Sequence, residues 1–472
     1  MSNKISKKLS RHKSKSKSKS KSKNKSKSKI KNNNTKKKKN LTKNIVYPVF
    51  TNKCKKHIPI NWKQFNSNGN TSNGNTSNYK NNRLLLEIIE TIPKIKYIIL
   101  EKEVINLKNL TYNDTNQEYA IINDTNQNNQ NINSFHNLLF TRFSAQDVIN
   151  EVINEHQFLI KVSFQFSILN TLQKHYNLFI YCSKKDLHKI NKSFLNKIMS
   201  RILFLNFYLE TTKLPNNIIL YYSNIKKTLP PKYQKFTTQN VNSAVTDFSN
   251  ITIYRKEEML KSILHELIHF HKIDNPGNTN MLLKELISTH NVASNNPYYL
   301  NESITEVLAT LFNTAFISRQ KSKLSLNTIL KHYKSIILNE LIHNSIQVSK
   351  ILKNLGYNNL QSFYKLETIN KINQKSNLLH QESDVFAYYI LKMYILNQLP
   401  NFINTFNISN KIIVKKEDTN DTNDTNDTNN ISKLRSLFNQ SIQDKDLHKF
   451  VNYLIKEGPN DRGLRMTAHI LE

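Results

Sequence analysis

The stretch Ile263-Leu264-His265-Glu266-Leu267-Ile268-His269-Phe270 decides how the rest of the chain is interpreted, because it carries the pattern His-Glu-x-x-His in a segment typical of a helix. Side chains advance by about 100° per residue on a helix, so His265 and His269 lie about 40° apart on one face and can bind one metal ion together. Glu266 follows the first imidazole, in a position to take a proton from a water molecule beside that ion. The stretch therefore predicts a metal site with a carboxylate base.

The same stretch also fits an ordinary amphipathic helix. Its apolar residues fall on the arc opposite the two imidazoles, and its polar face could then be simply solvated. With 15 His and 34 acidic residues among 472, chance produces the pattern in on the order of one or two of every hundred such chains. His271 falls on the apolar arc, which predicts a packing role for this residue and not metal ligation.

A second stretch, Tyr299-Leu300-Asn301-Glu302-Ser303-Ile304-Thr305-Glu306, is also typical of a helix and places two acids on one face. Together the two stretches resemble the gluzincin zinc metallopeptidases, in which a downstream Asn-Glu-x-x-x-Asp/Glu helix supplies the third ligand. The resemblance covers about residues 256–315. It implies one zinc ion per chain, held by His265, His269 and Glu302.

The resemblance also implies roles for the remaining acids. Glu266 is the implied general base for a zinc-activated water that attacks a peptide bond, and Glu306 is the implied acceptor of a hydrogen bond from a ligand imidazole. The chain has Glu306 where Asp is commoner in the family, and 32 residues separate His269 from Glu302, more than in the shortest members. The alternative is that both acids of the second helix are solvated.

Substrate-binding groups are predicted on either side of these helices. In gluzincin-like folds the strand ahead of the active helix is a sheet edge, which implies that Asn242, Ser243 and Ala244 bind the backbone of an extended peptide. An ordinary edge strand is the alternative. Hydrolysis also needs a donor for the developing oxyanion. Tyr388 and Tyr389 are the candidates, with packing in the core as the alternative.

Hydrophobic periodicity predicts an α+β fold, in which a small mixed or antiparallel sheet packs on the active-site helix and a mainly helical C-terminal subdomain follows. Runs rich in β-branched and aromatic residues predict strands at 158–169, 176–182, 217–222, 240–246 and 251–255. Helical spacing predicts helices at 84–92, 184–211 (with Ser183 as N-cap), 281–289, 323–340, 341–354, 359–371 and 381–398.

Composition divides the chain into four parts. Residues 1–44 form a Lys- and Ser-rich tail that is predicted to be disordered, and residues 45–133 form a poorly structured region interrupted by low-complexity sequence. Residues 134–272 are the predicted α+β half with the active-site helix. Residues 273–472 are the predicted helical half that carries the third ligand, with an Asp-Thr-Asn repeat loop at 418–430.

Positive charge is concentrated at the start of the chain, where residues 1–44 hold 19 Lys or Arg and no acid, more than half of the net charge of +35. This tail predicts contact with nucleic acid or another acidic partner; a nuclear address or a solubilising tail are the alternatives. The chain has only two cysteines, no visible secretory signal and no apolar run long enough to span a membrane. These features predict an intracellular protein, located in the nucleus, the cytoplasm or a virion. The Asn- and Lys-rich, repeat-expanded texture is similar to that of proteins from AT-rich genomes, including large DNA viruses.

The sequence thus predicts a zinc-dependent metallopeptidase. Two other classes of protein fit the same residues: a zinc-binding scaffold without turnover, and a nucleic-acid-associated protein that acts through its basic tail. Peptide hydrolysis distinguishes the enzyme from the scaffold. Salt-sensitive binding that is lost when residues 1–44 are removed identifies the third class.

Overall fold

The computed structural model describes residues 55–59, 62, 76–107, 145–168, 174–247, 250–293, 298–320, 324–364, 378–408, 411–414 and 425–468. All of them belong to one compact unit, Val46–Glu472. The tail predicted at 1–44 lies outside the described residues. So do residues 418–424 of the predicted repeat loop, whereas residues 425–430 of that loop lie in a helix.

Six strands form one open sheet: Tyr97–Asn106 (β1), His156–Phe166 (β2), Lys174–Ser183 (β3), Asn217–Tyr221 (β4), Ala244–Thr246 (β5) and Asn250–Ile253 (β6). Their order is β1-β2-β3-β4-β6-β5. The pairs β1–β2, β2–β3 and β5–β6 are antiparallel, whereas β3–β4 and β4–β6 are parallel. The sheet is therefore mixed, and a separate short hairpin pairs Asn407–Ile408 (β7) with Lys411–Ile412 (β8).

The helices account for most of the rest of the described chain. They are Thr76–Thr91 (α1), Gln146–Glu155 (α2), Lys192–Leu209 (α3), Thr238–Val241 (α4), Met259–His271 (α5), Asn280–Thr289 (α6), Leu300–Arg319 (α7), Leu326–Asn354 (α8), the π-helical turn Phe386–Leu391, Lys392–Asn397 (α9), Leu399–Thr405 (α10), Thr425–Ile442 (α11) and Lys445–Glu457 (α12). The predicted α+β class, with a helical second half, is confirmed. Within the described ranges, no helix combines the length and apolar character needed to cross a membrane.

The sheet separates two apolar clusters because successive side chains of a strand point to opposite faces. In β2, Ile160, Val162 and Phe164 face the main core, which includes the apolar sides of α3, α5, α7 and α8. Leu159 faces a smaller cluster beneath α2. Helix α5 thus packs against one face of the sheet, and α7 also packs on α5.

Helix α5 is central to the core and is not a surface helix. Met259, Ile263, Leu264, Leu267 and Ile268 are all fully buried. Its polar face is also largely enclosed, with His265 only 8% and Glu266 only 5% exposed. The alternative of a simply solvated polar face does not describe this helix.

Folded structure begins earlier in the chain than residue 134. Helix α1 and strand β1 both lie inside the region 45–133, which the sequence predicts to be poorly structured. Leu84, Leu85 and Ile88 of α1 are buried in the main core. The apolar spacing of this short run is sufficient to bury one side of α1, because the helix packs against α3, α7 and α10.

Two predicted helix boundaries are wrong. The helix predicted at 184–211 begins only at Lys192, where Asn191 accepts a hydrogen bond from the Phe194 amide at 3.1 Å. Ser183 is not its cap, because the Ser183 hydroxyl donates to Asp186 at 2.8 Å. The helices predicted at 323–340 and 341–354 form one continuous helix, α8, since no glycine or proline interrupts the chain before Gly356, whose φ is +86°.

Two further helices differ from prediction in the second half. Of the helix predicted at 359–371, residues 359–364 form only a 3₁₀ turn, Gln361–Phe363, and residues 365–371 lie outside the described chain. Of the helix predicted at 381–398, helical backbone begins at the π-helical turn Phe386–Leu391. The Gln381 side chain accepts from the Phe386 amide at 3.0 Å, which satisfies one of the first amides of that turn.

Candidate metal centre

Two imidazoles from consecutive turns of α5 face one point. The Nε2 atoms of His265 and His269 lie 3.2 Å apart. Their rings meet edge to face with centroids 4.8 Å apart. The spacing of four residues produces this approach because it brings both side chains to one face of the helix.

Glu302 completes a triangle with the two imidazoles from the first turn of α7. Its Oε2 atom lies 3.3 Å from Nε2 of His265 and 3.3 Å from Nε2 of His269. Tetrahedral ligation at zinc distances of about 2.0–2.1 Å requires ligand atoms about 3.3–3.4 Å apart. These three residues also form the set of candidate metal ligands found among the described residues. The donor set and its spacing therefore fit zinc, with one tetrahedral position left for water or substrate.

Asp274 orients His269, although the sequence analysis did not predict Asp274 as a site residue. Its Oδ2 atom lies 2.8 Å from Nδ1 of His269 and accepts the Thr305 hydroxyl at 2.6 Å. Asp274 is only 2% exposed and follows α5 by three residues. An acid shortly after the helix that carries the two imidazoles is the sequence signal that this residue gives. It fixes the ring so that Nε2 points to the site.

Glu306 lies beside His265, and the resemblance implies that this carboxylate accepts a hydrogen bond from a ligand imidazole. Its Oε1 atom lies 2.9 Å from Nδ1 of His265. The longer Glu side chain is held by two buried lysines. Lys261 Nζ lies 2.5 and 2.6 Å from its two oxygens, and Lys392 Nζ lies 2.9 Å from Oε2. Neither lysine was identified from the sequence.

These contacts set the charges of the metal-free site. Burial alone raises the pKa of Glu302, but His269 and His265 outweigh it and hold the pKa of this carboxyl well below its usual range. Burial lowers the pKa of His269, but Glu302 and Asp274 raise it well above the ordinary imidazole value. Burial likewise raises the pKa of Glu306, and Lys261 and Lys392 reverse that effect. The neighbouring carboxylates therefore favour the protonated form of both imidazoles.

Glu266 lies beside the ligands without joining them. Its Oε2 atom accepts the Thr246 hydroxyl at 2.7 Å, and its main-chain carbonyl accepts the same hydroxyl at 3.2 Å. Thr246 belongs to β5, so the sheet edge fixes the direction of this carboxylate. Such a carboxylate is available to accept a proton.

An open cleft of about 1000 Å³ gives access to the site. Glu266, the three candidate ligands and strand β5 line one part of it, and Tyr388 lines another part. Its volume is at the upper end of that typical of ligand pockets. A peptide segment therefore has room to reach the triangle of ligand atoms.

The edge strand predicted at 240–246 begins four residues late, because Thr238–Val241 form helix α4. Strand β5 is indeed an edge, but it begins at Ala244. Asn242 and Ser243 precede it, and their carbonyls are already engaged: Asn242 accepts from the Arg255 side chain at 2.8 Å, and Ser243 accepts from the Tyr254 amide at 2.9 Å. These two residues are therefore poorly placed to bind a substrate backbone.

The cleft side of β5 instead presents Ala244 and Thr246. Because Ser243 faces β6 and antiparallel pairing alternates along a strand, the main-chain groups of Ala244 and Thr246 point away from β6. The Ala244 carbonyl also accepts the Tyr254 hydroxyl at 3.3 Å. Both residues line the cleft, and contact of Ala244 with a substrate backbone stays a prediction.

The two tyrosines predicted as oxyanion donors face different surroundings. Tyr388 lines the cleft, with its ring centroid 6.2 Å from that of His265. Tyr389 is fully buried and its hydroxyl donates to the Leu464 carbonyl at 2.9 Å, so its prediction as an oxyanion donor is wrong. Neighbouring residues of a helical turn point about 90–100° apart, and only one of the two can face the cleft.

Burial, with Glu302 and Asp384 nearby, raises the pKa of Tyr388 well above its usual value. The Tyr388 hydroxyl therefore keeps its proton and can donate it in a hydrogen bond. Asp384 also lines the cleft, where burial and the Glu302 carboxylate raise its pKa to about 8. Its Oδ2 atom accepts the Tyr299 amide ahead of α7, which ties this wall of the cleft to the helix that carries Glu302.

No protein-family model, no curated protein and no solved structure matches this chain. Function is therefore inferred from the geometry and chemistry of the chain's own residues.

Proposed function

We propose that the chain is a zinc-dependent metallopeptidase that binds one zinc ion through His265, His269 and Glu302. The observation that carries this proposal is the triangle of ligand atoms, 3.2 to 3.3 Å on each side, in the lining of an open cleft. Its spacing matches three corners of a tetrahedral zinc site. The carboxylate of Glu266 beside it distinguishes a catalytic arrangement from a purely structural one.

When bound, zinc supplies Lewis-acid chemistry by lowering the pKa of water and polarising a carbonyl oxygen. Glu266 accepts the proton of the attacking water, and the Thr246 hydroxyl keeps the Glu266 carboxylate in place. After attack, the same carboxylate can pass the proton to the leaving amine. This assigns Glu266 as the general base and then the general acid.

Substrate contacts are proposed on two walls of the cleft. Ala244 and Thr246 hold the extended backbone of the peptide by adding it to the sheet edge. Tyr388 donates its hydroxyl to the oxyanion that develops at the attacked carbonyl. The basic segment 1–44 stays a separate prediction, a contact for nucleic acid or another acidic partner, because it carries 19 basic residues and no acid.

The test combines metal analysis with a broad peptide-cleavage screen on wild type and Glu266→Gln. We expect about one zinc per chain in both proteins, with cleavage reduced by about two to four orders of magnitude in the variant. Glu285→Gln is the control, because Glu285 is a surface acid paired with Arg435 at 2.8 Å.

Undiminished cleavage by Glu266→Gln would contradict the assigned base. Zinc in a wild type that cleaves no peptide would instead identify the zinc-binding scaffold predicted as an alternative. A wild type that binds no zinc would reject both.

A further inference from the structure

The segment 461–468 lies along the core behind the metal centre, and side chains of the core bind its main chain. Leu464, Thr467 and Ala468 are at most 2% exposed. Five of the segment's successive main-chain groups have such partners: the carbonyl of Gly463 with Lys350, that of Leu464 with the Tyr389 hydroxyl, that of Arg465 with His343, and the amide and carbonyl of Met466 with Glu258 and Lys392, respectively.

Charged partners of this kind are costly to bury. Lys392 is 0% and Lys350 is 2% exposed, and each must be compensated by contacts inside the protein. Lys350 has its second contact at Asp461, 3.3 Å away and within the same segment. Lys392 has its second contact elsewhere, at Glu306.

A short series of contacts therefore connects the segment to a candidate ligand. The Met466 carbonyl accepts from Lys392 Nζ at 2.8 Å, and the same Nζ donates to Glu306 Oε2 at 2.9 Å. Glu306 Oε1 lies 2.9 Å from Nδ1 of His265. Every member of the series is at least nine-tenths buried, so each contact is screened little by solvent.

We infer that Lys392 is a positioning residue of the metal centre, which the segment 461–468 holds in place so that Glu306 stays against His265. Lys261 fixes the same carboxylate from α5, one turn from His265 on the same helix, and it contacts the segment through the Met466 side chain, at 3.7 Å from the sulfur, rather than through its main chain. Lys392 joins three elements that are far apart in sequence. The inference rests on the zinc site of the proposed function.

The chain offers a matched control for this role. Lys350 and Lys392 are both buried lysines that donate to a main-chain carbonyl of the segment 461–468. Only Lys392 also contacts Glu306. A loss of packing or of segment docking should affect Lys350→Met and Lys392→Met alike, whereas a loss of Glu306 positioning should affect Lys392→Met alone.

The experiment measures zinc affinity by competition with a chelator, and thermal unfolding of the metal-free protein, for wild type, Lys392→Met and Lys350→Met. We expect Lys392→Met to lose about 10- to 100-fold in zinc affinity, the range for the loss of an outer partner of a ligand. Lys350→Met should lose less than about threefold, although both variants melt earlier. Equal affinity losses in the two variants, or none in Lys392→Met, would overturn the inference.

A double-substitution cycle with Glu306→Gln covers the case in which Lys392→Met folds poorly. If Lys392 acts through Glu306, then Lys392→Met should change zinc affinity little once Glu306 is already Gln. The doubly substituted protein also buries one uncompensated lysine fewer than Glu306→Gln does. A full additional loss of affinity in the Glu306→Gln background would contradict the inference.

Failure of the proposed function gives a different result. A wild type without zinc rejects the metal site and the inference together. Tight zinc binding in wild type with unchanged binding in Lys392→Met rejects the inference alone.

Discussion

The two imidazoles of the candidate zinc site are held by regions of different construction. His269 is held by Asp274, which follows the same helix and has the neutral Thr305 hydroxyl as its other close partner. His265 is held by Glu306, which comes from another helix and lies between two buried ammonium groups. An imidazole can release its proton when its partner is lost, but a buried ammonium does so only at greater cost. The His265 side should therefore be the more sensitive of the two to substitution.

The largest effect is expected where the two sides meet, at Glu302. Glu302→Ala removes a ligand atom that lies 3.3 Å from both imidazoles, so it should nearly abolish zinc retention. Glu306→Ala removes an outer partner only and should cost about 10- to 100-fold. Competition with a chelator ranks the two variants by their zinc affinity. Greater zinc loss in Glu306→Ala would require the two assignments to be exchanged.

The next prediction compares the two outer acids directly through the free energy of unfolding of the metal-free protein. Glu306→Gln leaves Lys261 and Lys392 without their carboxylate and should destabilise the fold by about 3–5 kcal/mol. Asp274→Asn should cost about 1–3 kcal/mol, because His269 can become neutral. Chemical denaturation measures both values. Equal costs would show that the lysine pair gives the His265 side no special sensitivity.

Zinc affinity should rise with pH. Although burial lowers both imidazole pKa values, the neighbouring carboxylates raise them above the ordinary value in the metal-free protein, so protons compete with zinc below the raised values. As the pH falls below the raised pKa values, zinc affinity should fall by about tenfold per pH unit for each proton displaced; above those values it should be constant. Chelator competition at several pH values checks this. Asp274→Asn removes one of the acids that raise the pKa of His269, so it should shift the dependence to lower pH.

The smallest effect is expected at Thr305, whose hydroxyl donates to Asp274 at 2.6 Å. Thr305→Val should cost about 1 kcal/mol of stability and less than about tenfold in zinc affinity, because Asp274 keeps its contact with His269. Thr314→Val, on the same helix, removes a buried hydroxyl that donates to the Leu311 carbonyl, and it should leave zinc affinity unchanged. If both variants change zinc affinity equally, the Thr305 contact is not specific to the site.

Local spacing was sufficient to predict the parts of the site that one helix holds. His265 and His269 were paired, and Glu266 was placed beside them, because four-residue and one-residue offsets have fixed angles on a helix. The pairing of Glu302 with them came from the resemblance, and the structure brings its carboxylate to both imidazoles. The α+β class was predictable for the same reason, since alternation and helical periodicity are local properties of a sequence.

Tertiary structure decided what distant residues contribute. The sequence placed Tyr388 and Tyr389 on equal terms, and only the fold decided that Tyr388 lines the cleft while the Tyr389 hydroxyl donates to the Leu464 carbonyl in the core. The sequence predicted an edge strand here. Which of its residues can bind a substrate backbone depended on tertiary contacts, such as the hydrogen bond from the Arg255 side chain to the Asn242 carbonyl. Helix boundaries at 183–192 depended on which side chain reached a free amide.

The two lysines that hold Glu306 show most clearly what the amino-acid sequence by itself determined and what it did not. The sequence supplied an acid four residues after Glu302 and therefore a partner for an imidazole. It gave no sign that Lys261 and Lys392 would be buried, because a lysine is expected at the surface unless a partner compensates its charge. That compensation comes from α7 and from the segment 461–468, which are brought together only when the core forms.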